Sequence, residues 1–368
     1  MIYLDNNATT KVDEEVLNEM LPYLKEAYGN PSSTYEFGKN IKEKINDARD
    51  KVAKLLNCNS ENIIFTSSGS ESNVTAIMNA IRLNPNKKHI ITTKVEHASI
   101  IETMGYLERE GYDITFLDVD DKGRLDLEEL KREITSDTCL ISIMMANNEI
   151  GNIYPIKEIA KIAKDNNILM HTDAVQAIGK IKIDVTDLDI DMLSISGHKI
   201  NAPKGIGILY VKDKKIIPLI FGHQEKNRRG GTENVPYIIG LGKACEMIIN
   251  NNDIVNKEKE LRDYMESEIK KEFDIFIYGD LDNRTPNTSS IAFKGINANG
   301  LMNELSNRNI YVSTGSACNA QIPMPSHVLT ACHADLDNYS PIRISLGKYT
   351  TKNDIDELIK NLKEIIKR

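Results

Sequence analysis

The 368-residue chain contains no tryptophan, and aromatic side chains make up only 6% of it. No apolar run approaches the roughly 18 residues that a membrane-spanning helix requires, so the sequence supports no transmembrane segment. Cysteine is scarce too: Cys58, Cys139, Cys245, Cys318 and Cys332 are odd in number, scattered, and lack metal-ligand spacing. This excludes a disulfide framework and fits a reduced, cytoplasmic protein with room for one reactive thiol. The opening residues Met1-Ile-Tyr-Leu-Asp-Asn6 carry no basic stretch and no small-residue cleavage site, so no secretory signal is expected. Positive charge is in deficit: a formal net charge of −8 argues against nucleic acid as the main partner and suits solubility. Internal repeats and low-complexity tracts are absent as well.

What is present is order. The length suffices for a large core and two domains. Residues 13–28 and 38–57 have helical periodicity, broken by Gly29-Asn-Pro-Ser-Ser33. From residue 62, short apolar strand signals alternate with helical stretches, at 63–65, 89–92, 113–117, 140–144, 168–171, 192–195 and 206–211. The alternation predicts an α/β fold with a mostly parallel, seven-stranded sheet wrapped by helices. Near residue 255 the style changes to a long charged helix over 255–272, strands near 273–278 and 288–293, and helices over 298–308 and 352–367. The expected division is a large α/β domain over 13–254 and a smaller α+β domain made of 1–12 and 255–368.

The chemistry gathers at strand ends. The strand signal Met192–Ile195 runs into Ser196, Gly197, His198 and Lys199. A lysine fixed there beside a hydroxyl and an imidazole can act as a nucleophile toward an aldehyde. Alone, Lys199 is one lysine among many. Asp173, 26 residues upstream at the end of another apolar strand, changes its meaning. A carboxylate for a pyridinium nitrogen and a lysine for an aldehyde carbon are the two fixed points that pyridoxal phosphate needs.

Three further strand ends offer suitable groups. Phe65 to Asn73 is small and polar before a helix, so Gly69 and Ser70 can cradle an anion, although a plain capped turn reads the same way. Glu96-His97 follows the next strand and offers a ring that can stack or merely pack. Asn147-Asn148 follows Leu140–Met144; the two carboxamides can hold ligand atoms or make a turn. Gln176 lies three residues beyond Asp173. In open α/β sheets, ligands collect outside the carboxyl ends of strands, which makes five such ends a poor coincidence.

In the C-terminal region, Cys318 sits among Gly315, Pro323, Pro325 and small polar residues, without the large apolar neighbours of a structural cysteine. Arg343 lies in a short alternating strand, where its planar fork suits a substrate carboxylate or an ordinary ion pair.

Together these residues resemble the NifS/IscS cysteine desulfurases, class-V aminotransferase-like enzymes of pyridoxal phosphate fold type I, over essentially the whole chain. The matching stretches are Tyr3 to Thr10, Gly29 to Ser33, Phe65 to Asn73, Glu96-His97, Asn147 to Gly151, Thr172 to Gln176 and Ser196 to Lys199. They continue with Pro203 to Gly207, Gly231-Thr232-Glu233-Asn234, Gly315 to Cys318, Pro325 to Leu329 and Arg343 to Gly347. The resemblance implies that Lys199 carries the cofactor and later moves protons, Asp173 pairs with the pyridinium nitrogen, and His97 stacks on the ring. It places Asn148 and Gln176 at the ring hydroxyl and Gly69, Ser70, Ser196 and His198 at the phosphate. Thr232 joins them from the neighbouring subunit of a homodimer. Arg343 clamps the substrate carboxylate, and Cys318 takes sulfur from L-cysteine as a persulfide, releasing alanine. Sulfur would then pass to an acceptor protein for iron–sulfur clusters or thio-modified cofactors. The span from Cys318 to Pro325-Ser-His has the short form, unlike the SufS-like group.

The chain departs from the family pattern in a few places. Tyr35 stands where the family usually has histidine, and Gly222-His223-Gln224-Glu225 replaces a glycine-richer run. Ser68-Gly-Ser-Glu71 is a mild variant of the phosphate loop, and Cys332-His333 is unusual. Tyr35 and His223 are therefore candidate substrate-side residues. They motivate an alternative reading on the same fold, a lyase that eliminates from selenocysteine, cystine or selenocystine, including D-forms. A non-catalytic scaffold is a third reading, opposed by the intact Lys199, Asp173, Cys318 and Arg343.

Overall fold

The apolar strand signals assemble into one sheet whose carboxyl edge faces a cavity. In the computed structural model, which describes residues 1–251, 253–314 and 325–367, the chain begins with the short strand β1 (Ile2–Tyr3). There follow β2 (Ile63–Thr66), β3 (His89–Thr93), β4 (Asp113–Leu117), β5 (Thr138–Ser142), β6 (Leu169–Asp173), β7 (Met192–Ser196) and β8 (Gly207–Val211). The last seven form a sheet in the order β2-β8-β7-β6-β5-β3-β4. Strand β8 runs antiparallel to both its neighbours, and every other pair is parallel. Strands β2 and β7 therefore point the same way, and all strands except β8 end on one edge.

Both faces of this sheet are covered, which is why its strands read as continuous apolar runs. Alternation along each strand sends neighbours to opposite layers. Ile64, Ile90, Leu140, Met192 and Leu209 pack with Ile77 and Ala80 of the helix Gly69–Leu83 and with Met104 of the helix Ala98–Arg109. Phe65, Ile91, Ile141, Leu193 and Ile208 face the larger core, with Ile45 and Val52 of Glu36–Leu56, Ile159 of Ile156–Asp165 and Leu241 of Val235–Asn250. Each such side chain, fully buried, contributes roughly 1.5–3 kcal/mol. The helix Val235–Asn250 has no counterpart among the sequence expectations.

The charged helix Asp253–Glu272 leads to β9 (Ile275–Tyr278), β10 (Thr288–Phe293), β11 (Ile310–Tyr311) and β12 (Pro341–Ser345). Strands β12-β10-β9 form an antiparallel sheet. Met265 and Ile269 of the charged helix and Leu358 and Leu362 of Lys352–Ile366 cover it, against Ile291 and Ile344. Strand β1 pairs in parallel with β11, and Leu4 enters the same core. Asp5 then bridges to Ser345 and Asn7 N donates to Ser345 Oγ at 2.9 Å, carrying residues 5–8 toward the large sheet. Among the described residues, no helix is long and apolar enough to cross a membrane.

Candidate active site

The ends of β2, β3, β5, β6 and β7 meet at a cavity of about 360 Å³, joined by Asn7, Ala8 and Arg343. After β2, Ser68 caps the helix Gly69–Leu83 by accepting from Glu71 N. The free N–H groups of a first helical turn suit an anion. A Cβ on Gly69 would lie 2.8 Å from Val175 Cγ2 and 3.2 Å from Ser196 Cβ, so only glycine leaves this cradle open.

After β3 comes His97, whose Nδ1 accepts from Ser99 N at 3.1 Å. Burial lowers its pKa, partly opposed by the charge of Asp173, so a neutral ring lines the cavity. After β5 the two carboxamides divide their labour. Asn147 is spent on the turn, accepting from Glu149 N at 2.8 Å and Ile150 N at 3.0 Å, while Asn148 lines the cavity.

At the end of β6, the buried Asp173 accepts from Asn73 Nδ2 at 2.7 Å and from Val175 N at 2.9 Å. Gln176 Nε2 donates to the Asn7 carbonyl at 3.0 Å. Beyond β7, the tight turn Gly197–Lys199 brings Ser196, His198 and Lys199 to the same space. Burial pushes the His198 pKa down to about 4, and its Nδ1 lies 3.1 Å from Thr9 Oγ1. Lys199 Nζ donates to the carbonyls of Asn7 and Ala8.

Arg343, in β12, closes the cavity from the other side. Its guanidinium pairs with Asp5 Oδ1 at 2.7 Å and donates to the Asn148 carbonyl at 3.1 Å. Its Nε is buried and has no hydrogen-bond partner among the described residues. Arg343 is thus ion-paired and also lines the cavity.

Three candidates lie elsewhere on the chain. Tyr35 sits at the N-cap of Glu36–Leu56 and is 59% exposed. His223 is exposed, with Nδ1 3.3 Å from Asn227 Oδ1. Thr232 is exposed and lines a separate pocket with Arg229 and Glu233. None of the three lines the cavity of its own chain. Cys318, with Gly315 and Pro323, falls outside the described residues. The flanks of that stretch are tied to the site. Ser313 exchanges backbone hydrogen bonds with Arg343, Ser326 Oγ donates to Glu149 Oε2 at 2.5 Å, and His327 Nε2 lies 2.8 Å from the Glu96 carbonyl.

Sequence reasoning missed Asn7, Asn73 and Lys180 as parts of this site. For Asn73 a signal existed, since it lies one helical turn beyond Gly69 and so on the same face. Lys180 follows Gln176 by four residues. The Asn7 carbonyl had no signal, because its role depends on a lysine far along the chain.

Residues 2–358 match the class-V aminotransferase family. A cysteine desulfurase of Trichormus azollae is 46% identical over 373 residues, spanning 100% of this chain and 93% of that protein. The cysteine desulfurase IscS of Dictyoglomus turgidum is also 46% identical, spanning 100% of this chain and 95% of that one. Among solved structures, a NifS-like protein superposes with a TM-score of 0.94 at 39% identity, covering 100% of this chain and 99% of its own.

Proposed function

Since the chain belongs to the class-V aminotransferase family, as its cysteine desulfurase relatives do, we propose that it is a pyridoxal-phosphate-dependent cysteine desulfurase. It converts L-cysteine to L-alanine and leaves the sulfur on Cys318 as a persulfide. The observation that carries this reading is one cavity lined by the Lys199 amine, the Asp173 carboxylate and the neutral His97 ring, with an anion cradle at Gly69. The residues fit the group. The cradle has no room for a Cβ, and Asp173 is fixed by two neutral donors, ready for a cationic ring nitrogen.

Bound there, pyridoxal phosphate supplies an electron sink that makes the Cα proton labile and loosens the Cβ–S bond. Lys199 holds the cofactor covalently and, once released, moves a proton at its amine. Asp173 would hold the ring nitrogen and His97 would pack on the ring. Asn148 and Gln176 would serve the ring oxygen. Gly69, Ser70, Ser196 and His198 bind the phosphate, with Thr232 of the partner subunit in a homodimer. Arg343 receives the substrate carboxylate through its guanidinium. The Cys318 thiolate takes the sulfur; a C–S bond breaks, an S–S bond forms, and Cβ gains a proton.

The other cysteines are poor candidates for that step. Burial pushes the thiols of Cys58, Cys245 and Cys332 up to about 12 and that of Cys139 up to about 11. None of these four is a thiolate at neutral pH. The lyase reading rests on Tyr35 and His223, neither of which lines the cavity of this chain.

A substrate panel on the purified holoenzyme tests the proposal. L-cysteine, D-cysteine, L-selenocysteine, cystine and both selenocystine enantiomers are compared, following alanine, pyruvate and sulfide or selenide. Alanine and sulfide from L-cysteine, with a persulfide on Cys318, are expected. Pyruvate from a disulfide or diselenide, with L-cysteine a poor substrate, overturns it in favour of β-elimination.

A further inference from the structure

Behind the cavity lies a polar layer that the chemistry above does not use. Lys180 is only 8% exposed, and its Nζ donates to Gln176 Oε1 at 2.8 Å and to Asn7 Oδ1 at 3.0 Å. Burial pulls the Lys180 pKa down to about 7; the charge of Glu258, 6% exposed on the helix Asp253–Glu272, opposes the fall, and those of Lys199 and Arg343 add to it. An ammonium buried this deeply is costly, and an apolar side chain of similar length would fill the space without that cost.

Asn7 joins this layer to the cavity. Its Oδ1 accepts from Lys180 and from Asn287 Nδ2, its Nδ2 donates to the Asn148 carbonyl, and its own carbonyl accepts from Gln176 Nε2 and Lys199 Nζ. A carboxamide turns over readily unless both ends are claimed. Here the Asn7 carbonyl demands a donor at one end of Gln176, and the Lys180 amine supplies a donor to the other.

We propose that Lys180 is a positioning residue: by holding Gln176 Oε1 and Asn7 Oδ1, it fixes the Gln176 amide with its N–H donors toward the cavity and presents the Asn7 carbonyl to Lys199. The inference rests on the pyridoxal phosphate reading, in which those donors serve the ring oxygen. Lys180 touches neither substrate nor cofactor; it acts through Gln176 and Asn7.

The test is a double-mutant cycle on Lys180→Met and Gln176→Leu, each prepared free of cofactor and titrated with pyridoxal phosphate. The Kd and the absorption maximum of the bound cofactor are recorded, with Tm measured separately. Each single variant should weaken binding about three- to tenfold, the effect of one neutral hydrogen bond, and shift the absorption maximum. In the Gln176→Leu background, Lys180→Met should add less than it costs alone, the remainder passing through Asn7. Because Lys180→Met removes the positive charge that acts on the buried Glu258, Lys180→Met/Glu258→Gln serves as a second variant. It should recover Tm while keeping the weakened binding. Unchanged affinity and spectrum in Lys180→Met, or a loss that adds in full to that of Gln176→Leu, overturns the inference. Wild-type protein that takes up no pyridoxal phosphate overturns the underlying reading, and this inference with it.

Discussion

Glu96 offers the sharpest test of the electrostatics beneath the site. Its carboxyl is fully buried; Oε1 accepts from Thr93 Oγ1 at 2.8 Å and Met144 N at 2.9 Å, and Oε2 has no hydrogen-bond partner among the described residues. Burial pushes its pKa from 4.5 up to about 8, and the negative charge of Asp173 adds to the rise. In the unfolded chain the group ionises near its ordinary value. Between those two values the folded protein holds a proton that the unfolded chain has released, so stability falls as pH rises. At about 1.4 kcal/mol per pH unit, the interval is worth up to about 5 kcal/mol. Glu96→Gln keeps the shape and removes the titration. Urea midpoints of wild type and variant, measured in steps from pH 5 to pH 8.5, should lie closest at pH 5. The variant should then gain on wild type with rising pH, and the gain should level off above about pH 8. A difference that stays flat across this range would refute the argument.

Three other outcomes are expected. His171 is held neutral, its pKa pushed down to about 3 by burial, with ring nitrogens 2.9 Å from Ser142 Oγ and Ser194 Oγ. Its contribution is complete above pH 6.5 and is lost as pH falls toward 3, so His171→Gln should flatten the acid limb of a stability–pH curve measured by denaturant midpoints. Asn73→Ala removes a donor to the Asp173 carboxylate, an interaction worth about 1.5–3 kcal/mol, and should weaken pyridoxal phosphate binding about 10- to 100-fold by fluorescence titration. Cys318→Ser should take up cofactor normally yet release no sulfide from L-cysteine in a methylene-blue assay; sulfide at the wild-type rate would sink the persulfide assignment.

The parts of this protein legible in the sequence are those where one physical rule acts locally. A strand buried on both faces is largely apolar and bounded by turn residues; Ile63–Thr66 and Gly207–Val211 follow that rule, whereas Asp113–Leu117, at the sheet edge, is only partly buried and carries Asp113 and Thr115. The helix Val235–Asn250 escaped because apolar side chains surround it: Ile238, Ile239, Leu241, Ala244 and Cys245 are all buried, leaving little polar face to reveal its period. The candidate site was legible because Gly69, His97, Asn148, Asp173 and Lys199 each follow a strand, and strands that end on one edge bring such residues together. Asn147 and Asn148 show where that logic stops. The two residues are identical and adjacent, and only the turn geometry decides that one satisfies backbone N–H groups while the other faces the cavity. Asn7 and Lys180 lie further out of reach. Their value lies in a backbone carbonyl and a buried amine meeting Lys199 and Gln176, contacts between segments that share no pattern. Periodicity reports which face a residue occupies; it does not report what waits on the other side of that face. Lys180 and Lys182 look alike in the sequence, yet the first is buried beneath the cavity and the second is exposed.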